Sequence, residues 1–414
     1  MRTRRIVIAA LILIPLAIGL YLTYAPPPQG PLGVYVPPGE DVHVSRIVNS
    51  AIRTVNVSRE EALQAKGPTY YRRDAHTKTI GCVAATFRVN ELQPDYRVGL
   101  FSTPKKEYPA WIRFSTGSSY LQPDWKPDAH GMAVKVLGVE GEKLLEGEES
   151  EHTHDFLMID HPVFCLRDVP EYAQLTAYQS AGSAPKNQFA YFFDGYAKNP
   201  FRWRLRELRI GIDILKMPPS SVLDPQYHSM TAYRYGPQRF VKYSLKRVPC
   251  GGGGTELSGS SRLNFSADRL STTLREQVKD GGPYCFDFLV QFQDPTKNMP
   301  VEDTTILWSE KDSPFIPVAR LTIPRQDIAA KQPAGFCEKL AFTPWHALPQ
   351  HEPVGGLNRI RKAVYTNVSR YRRCMNGVAV GEPAPDGSPV MPTSACTPNQ
   401  PIPEGGIASV KALH

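Results

Sequence analysis

Between residues 79 and 323 the chain keeps breaking into short runs rich in β-branched and aromatic residues, and this pattern most limits its fold. The runs fall at 79–89 (TIGCVAATFRV), 110–114, 132–137, 156–164, 233–235, 241–246, 286–292 (FDFLVQF), 305–307 and 319–323. Turn residues bound them, which predicts strands. Helical spacing is confined to blocks. Val44, Ile47, Val48, Ala51, Ile52 and Val55 recur at helical intervals over 41–64, and the reading turns helical again between Tyr172 and Met217. Many short strands with segregated helices predict an α+β fold, an antiparallel barrel or sheet carrying helices. The 39 prolines favour irregular connections over a helical bundle.

The ends differ from the middle. Residues 6–24 (IVIAALILIPLAIGLYLTY) are apolar throughout and long enough to cross a bilayer. Arg2, Arg4 and Arg5 precede them, which keeps that end cytoplasmic and exports the rest. No clear small-residue cleavage site follows, so an uncleaved anchor is expected over a signal segment within 1–24. A Pro-rich spacer follows at 25–40, a globular domain at 41–377, and a Pro/Gly-rich tail expected to be disordered at 378–414. The net charge of +8 forms no basic stripe interleaved with aromatics, which argues against nucleic acid. Seven cysteines lack any C-x-x-C spacing, so a zinc knuckle and covalent haem attachment are unsupported. Export permits disulfides, and the odd count leaves at least one thiol free. Cys250 and the four glycines after it read as a flexible surface connection.

Arg361 and Tyr365 stand four residues apart in a stretch expected to be helical, on one face of the helix. A phenol beside a fixed cation is expected to ionise more readily. Its phenolate suits ferric iron. Upstream lie Arg73 and His76, then Trp111–Thr116 with Arg113, Phe114 and Ser115, then 128–136, then 156–168. A rival set of metal ligands, His152, His154, Asp155, Asp160 and His161, follows an acidic run. That run suggests an exposed loop, and the set lacks a hydrolase spacing such as H-E-x-x-H. No G-x-S-x-G elbow supports a serine hydrolase.

In order and spacing these segments resemble the haem-dependent catalase family, over about residues 68–373. Arg73 and His76 match its R-x-x-H. Residues 112–116 match V-R-F-S-T, and 128–136 match D-P-R-G-F-A-V-K-F. Residues 162–168 match the second half of N-N-T-P-V-F-F-I-R-D, and 313–321 resemble Y-P-L-I-P-V-G-K-L. Arg361 and Tyr365 match the proximal R-x-x-x-Y.

The resemblance implies an antiparallel barrel with surrounding helices and a buried b-type haem. Tyr365 would be the axial ligand, with Arg361 stabilising its charge. His76 would be the distal acid/base and Ser115 would orient it. Arg73, Arg113 and Arg372 would pair with the propionates. Phe164 and Tyr172 would be distal aromatics. The family's distal Asn falls on Ile159, followed by Asp160 and His161, and a slip of one or two residues would give one of those the role. The long C-terminal extensions of some catalases have no counterpart here.

This pattern implies a catalase-related peroxidase acting on hydrogen peroxide or organic hydroperoxides, with weak or no catalase activity. It would need a small-molecule or protein reductant. A fatty-acid hydroperoxide isomerase or lyase is the alternative, then a non-enzymatic haem-binding protein. Homo-oligomerisation stays open. The haem domain would be membrane-anchored and exported.

Overall fold

The computed structural model describes residues 33–64, 69–179, 185–194, 199, 202–251, 265–328, 336–378 and 381–384, together with Leu16. Nine strands organise it: β1 (Thr79–Val89), β2 (Glu107–Thr116), β3 (His130–Leu137), β4 (Thr153–Ile159), β5 (Tyr227–His228), β6 (Tyr233–Arg234), β7 (Phe240–Val248), β8 (Tyr284–Phe292) and β9 (Ile316–Ile323). They form one sheet in the order β5-β4-β3-β2-β1-β9-β8-β7-β6, with every pair antiparallel. A further pairing of Tyr227 with Leu245 joins β5 to β7 and closes eight of these strands into a barrel. Closure leaves β6 as an appendage on β7 and removes exposed strand edges from the ring.

Alternation decides which side chains enter the barrel. On β1 the buried set Val83, Ala85, Phe87 and Val89 points one way. Its rings stack with those of other strands: Phe87 lies 6.0 Å from Phe156, and Phe156 lies 4.5 Å from Phe288. The interior is therefore a packed core.

The helices are α1 (Glu40–Gln64), α2 (Val169–Gln179), α3 (Pro185–Phe192), α4 (Leu205–Ile214), α5 (Arg269–Asp280), the short α6 (Phe336–Lys339) and α7 (Gly356–Met375). A second apolar core joins three of them. Val44, Ile47, Val48 and Val55 of α1 pack with Val169 and Ala173 of α2 and with Ile360, Val364 and Val368 of α7. Each such aliphatic side chain contributes about 1.5–3 kcal/mol when fully buried. Arg359 fixes the register of this layer by pairing with Glu40 at 2.6 Å and Glu302 at 3.0 Å.

Several expectations need correction. Residues 305–307 form no strand. Asp303 Oδ1 accepts from the Thr305 amide at 2.9 Å, a local turn that competes with strand pairing. The run at 156–164 is a strand only to Ile159, and β4 begins earlier, at Thr153. His154 and Asp155, expected in an exposed loop, are consequently buried, while His152 is exposed. The tail expected to be disordered is packed at Glu382, whose carboxylate is buried against Lys135 and Arg373. Residues 6–24, apart from Leu16, and the glycines at 252–254 lie outside the described residues. Among the described residues no helix is long and apolar enough to cross a membrane. Disulfides join Cys82 to Cys337 and Cys250 to Cys285, Cys374 is also disulfide-bonded, and Cys165 is free.

Candidate active site

His76 sits just before β1 with φ of 54°, a left-handed conformation that costs a non-glycine residue free energy. The surroundings hold it there. Its amide donates to the Gly117 carbonyl at 3.2 Å, and Arg113 Nη2 donates to its carbonyl at 2.7 Å. The ring reaches Ser115 Oγ through Nδ1 at 3.0 Å.

Sheet register explains the rest of its environment. Ser115 on β2 faces Gly131 on β3, Gly131 faces Ile159 on β4, and Ile159 faces His228 on β5. A Cβ on Gly131 would stand 2.6 Å from His76 Nδ1 and 2.8 Å from Ser115 Oγ. Only glycine lets the imidazole lie there. Burial, with Arg113 and Arg361 adding to it, pulls the imidazole down to about 4. The ring is therefore neutral near pH 7 and able to take up a proton.

The same cavity reaches Arg361, Tyr365 and Arg372 on α7. Its walls include Met132, Leu157, Met158, Ile159 and Phe342. Tyr365 does not follow the simple expectation. Burial makes it harder to ionise, Arg361 opposes this, and the carboxylate of Asp74 reinforces it, leaving the phenol's pKa above its ordinary value. Arg361 is held by Thr231 Oγ1 at 3.1 Å and Asn358 Oδ1 at 3.4 Å.

Asp74 also lines the cavity, and burial lifts its carboxyl to about 6. The sequence reading passed over it, although its place inside the R-x-x-H stretch was a usable signal. Among the three residues open to the distal polar role, only Ile159 lines the cavity. Asp160 is turned to the His130 amide at 2.9 Å and the His130 ring at 3.1 Å. His161 Nδ1 meets the Val163 carbonyl at 2.7 Å. Phe164 and Tyr172 stack on one another at 6.2 Å and are not among the residues lining the cavity.

Arg73 and Arg113 converge on the carboxylate of Glu338 in α6, and Arg372 reaches the same residue. Arg73 pairs with it at 2.7 Å and Arg113 at 3.8 Å, and Arg372 Nη1 donates to its backbone carbonyl. Burial resists ionisation of Glu338, yet Arg73 and Arg113 hold it down to about 2. Burial also pulls Arg113 to about 9 and Arg372 well below its ordinary value. One carboxylate thus faces three guanidiniums, and among the described residues Arg372 Nε has no hydrogen-bond partner. Buried cations in excess call for further anionic oxygens.

The rival metal ligands do not assemble as a set. Asp155 instead joins Glu148, Glu382 and His346, and Lys135 sits among them at 2.8 Å from Asp155. Glu382 and Asp155 raise His346 to about 9 despite its burial. Lys135, His346 and Arg373 therefore balance the three carboxylates as a buried ion-pair network.

Comparison with known proteins agrees with this geometry. A fungal catalase structure superposes with a TM-score of 0.60 at 19% identity, covering 81% of this chain and 66% of that one. A bacterial catalase gives 0.58 at 18% identity, covering 77% and 60%. Catalase A from Saccharomyces cerevisiae gives 0.57 at 18% identity, covering 84% and 68%. The chain thus spans about two thirds of the length of these structures, and at such identities the likeness shows the fold. No curated protein matches the sequence. The family profile for catalase matches residues 68–391, most of the chain. With a closed antiparallel barrel, and a cavity bounded by His76 and Tyr365, that match places the chain in the haem-dependent catalase family.

Proposed function

We propose that this protein is a haem-dependent peroxidase that reduces hydrogen peroxide or organic hydroperoxides, with weak or no catalase activity. The observation that carries the reading is Ile159 in the cavity wall, two strands from Ser115, with His76 held between. An isoleucine gives no hydrogen bond to a peroxide, so polar hydrogen peroxide is held less firmly and an alkyl hydroperoxide is tolerated better.

The residues present fit haem b. Tyr365 offers an anionic oxygen ligand beside Arg361 once ionised. Arg73, Arg113 and Arg372 offer forked donors to two carboxylates, and the unpartnered Arg372 Nε marks unused capacity there. When bound, haem supplies the redox-active iron at which peroxide chemistry takes place. The chain's own contribution is proton handling. Neutral His76 accepts a proton from one peroxide oxygen and delivers it to the other, and Ser115 and Gly131 fix the ring for that transfer. This built-in base argues against a simple haem carrier, for which His76→Ala would leave function intact.

The disulfides support an oxidising, exported location, with residues 6–24 as the proposed anchor. A small-molecule or protein reductant would complete the cycle. The test is the absorption spectrum of the haem-supplied protein, followed by turnover. A ferric tyrosinate spectrum lost in Tyr365→Phe, with slow oxygen release and faster peroxidation of an added donor, is expected. Ile159→Asn should raise oxygen release at least tenfold. Rapid oxygen release by the unaltered protein would overturn the peroxidase assignment.

A further inference from the structure

Helix α4 is turned the opposite way from an ordinary surface helix. It buries Arg206, which pairs with the buried Glu207 at 3.4 Å and with Asp303 at 3.5 Å. It points Ile212 outward, 59% exposed, and the chain just beyond it exposes Leu215 and Met217. A helix facing water on its outer side carries its charges there and its isoleucines inside.

Two further segments extend this apolar surface. The Asp128 amide donates to the Lys216 carbonyl at 3.2 Å, and the Asp124 amide donates to the Ala267 carbonyl at 2.9 Å. Residues 118–128 therefore lie between the end of α4 and the segment that leads into α5. They expose Leu121 and Trp125, and the segment before α5 exposes Phe265 to 71%, its ring 6.4 Å from that of Trp125. Adjacent exposed apolar side chains from separate segments mark a contact surface. Its charges favour an anionic one. Lys126 lies 5.8 Å from the Trp125 ring, and Arg209 is exposed on α4. Asp213 is the exposed acid of α4, and Asp268 is taken by Lys78 at 3.0 Å. Tryptophan beside lysine is the pairing found where protein meets lipid headgroups.

The leash of the domain points to the same side. The described chain begins at Gly33, and the Tyr35 amide donates to Glu302 at 2.8 Å, next to the Asp303 that pairs with Arg206. The chain thus enters beside the first turn of α4, and the ten residues of that helix cover about 15 Å toward Leu215. Even at an extended rise of about 3.1 Å per residue, residues 25–32 span only about 25 Å. A leash this short brings the α4 side of the domain against whatever holds residues 6–24. The same surface adjoins the site: the Gly117 and Ser118 carbonyls accept the amides of His76 and Thr77.

We propose that Leu121, Trp125, Ile212, Leu215, Met217 and Phe265 form a lipid-contact surface that seats the domain on the bilayer, with the His76 end of the barrel turned toward it. The inference goes beyond the peroxidase reading and, of the earlier readings, uses only the anchor at residues 6–24.

The test is photocross-linking of the full, haem-loaded chain in vesicles of phosphatidylethanolamine and phosphatidylglycerol. The vesicles carry a lipid with a diazirine near its glycerol, and adducts are mapped by peptide mass spectrometry. Adducts are expected within 6–24 and also within 121–125, 212–217 and at Phe265. Trp125→Ser combined with Met217→Ser should lower the second group at least tenfold and leave the first unchanged. Adducts confined to 6–24 in the unaltered chain would overturn the lipid contact without any variant having to fold. Chain-to-chain cross-links through these segments in place of lipid adducts would assign the surface to a second copy and overturn it equally. Adducts on the surface with none in 6–24 would retain the contact and remove the anchor. Peroxide turnover does not enter this readout, so the peroxidase reading stands or falls separately.

Discussion

Three laterally adjacent strand positions, Ser115, Gly131 and Ile159, determine what His76 can do. Gly131 is the least conspicuous of them and the least replaceable. An alanine there would place a methyl group 2.6 Å from His76 Nδ1, and the ring would have to leave its place against Ser115. Gly131→Ala is therefore expected to slow reaction with peroxide about 10²–10⁴-fold, the usual share of a positioned acid/base. Stopped-flow kinetics would read this, with the haem spectrum as control for retention of the cofactor. Unchanged kinetics would mean that the imidazole does not need this seat. The sequence pointed to His76 and Tyr365 directly, because histidine and tyrosine carry their chemistry in their side chains. Gly131 carries none, and its role appears only once β3 lies beside β2. The expectation that Arg361 would ease ionisation of Tyr365 failed for a related reason. Spacing reveals the nearby cation, but the opposing burial and Asp74 belong to the folded cavity.

Among the elements, α6 has only four residues, yet it delivers Glu338 to Arg73 and Arg113. So short a helix cannot hold its place by its own hydrogen bonds. The Cys82–Cys337 disulfide holds it to β1 across a sequence separation of 255. Replacing both cysteines by serine should cost roughly 2–5 kcal/mol of stability. It should also weaken haem retention, because the arginines lose their fixed neighbour. Denaturant unfolding and haem transfer to an apoprotein acceptor would measure these effects. If neither moved, α6 would be held by its packing alone. Helix α1 and most strands were legible because their apolar periodicity is local. Residues 305–307 were misread as strand because their Thr–Ile–Leu composition favours β structure while one side-chain oxygen, that of Asp303, decides the backbone. Disulfide connectivity could not be read, since it depends on strands far apart in sequence.

At the scale of the whole molecule, the closed barrel buries ionisable groups that set its response to acid. His351 is fully buried, and its Nε2 accepts the Leu100 amide at 3.1 Å. Burial lowers it from 6.5 to about 4. The unfolded chain therefore takes up this proton first. Stability falls as pH drops from 6.5 toward 4 and is lost no further on this account below that. The effect is on the order of 3 kcal/mol. His351→Gln should flatten the pH dependence of unfolding in this window, and identical slopes in the two proteins would contradict the assignment. His76, His154 and His228 act with the same sign. Barrel closure itself rests on the two-residue strand β5; the strand pattern left barrel and open sheet as alternatives, and the family resemblance pointed to the barrel that the structure has.

The clasp between Glu40 and Arg359 spans a sequence separation of 319. A ribosome releases α1 long before α7. Until α7 emerges, Val44, Ile47, Val48 and Val55 have only the α2 part of their final packing, Val169 and Ala173, and the pocket lacks Tyr365 altogether. Contacts this remote make folding slow. The nascent chain must therefore keep part of an apolar helix from wrong partners until α7 follows, and the pocket is complete only after that.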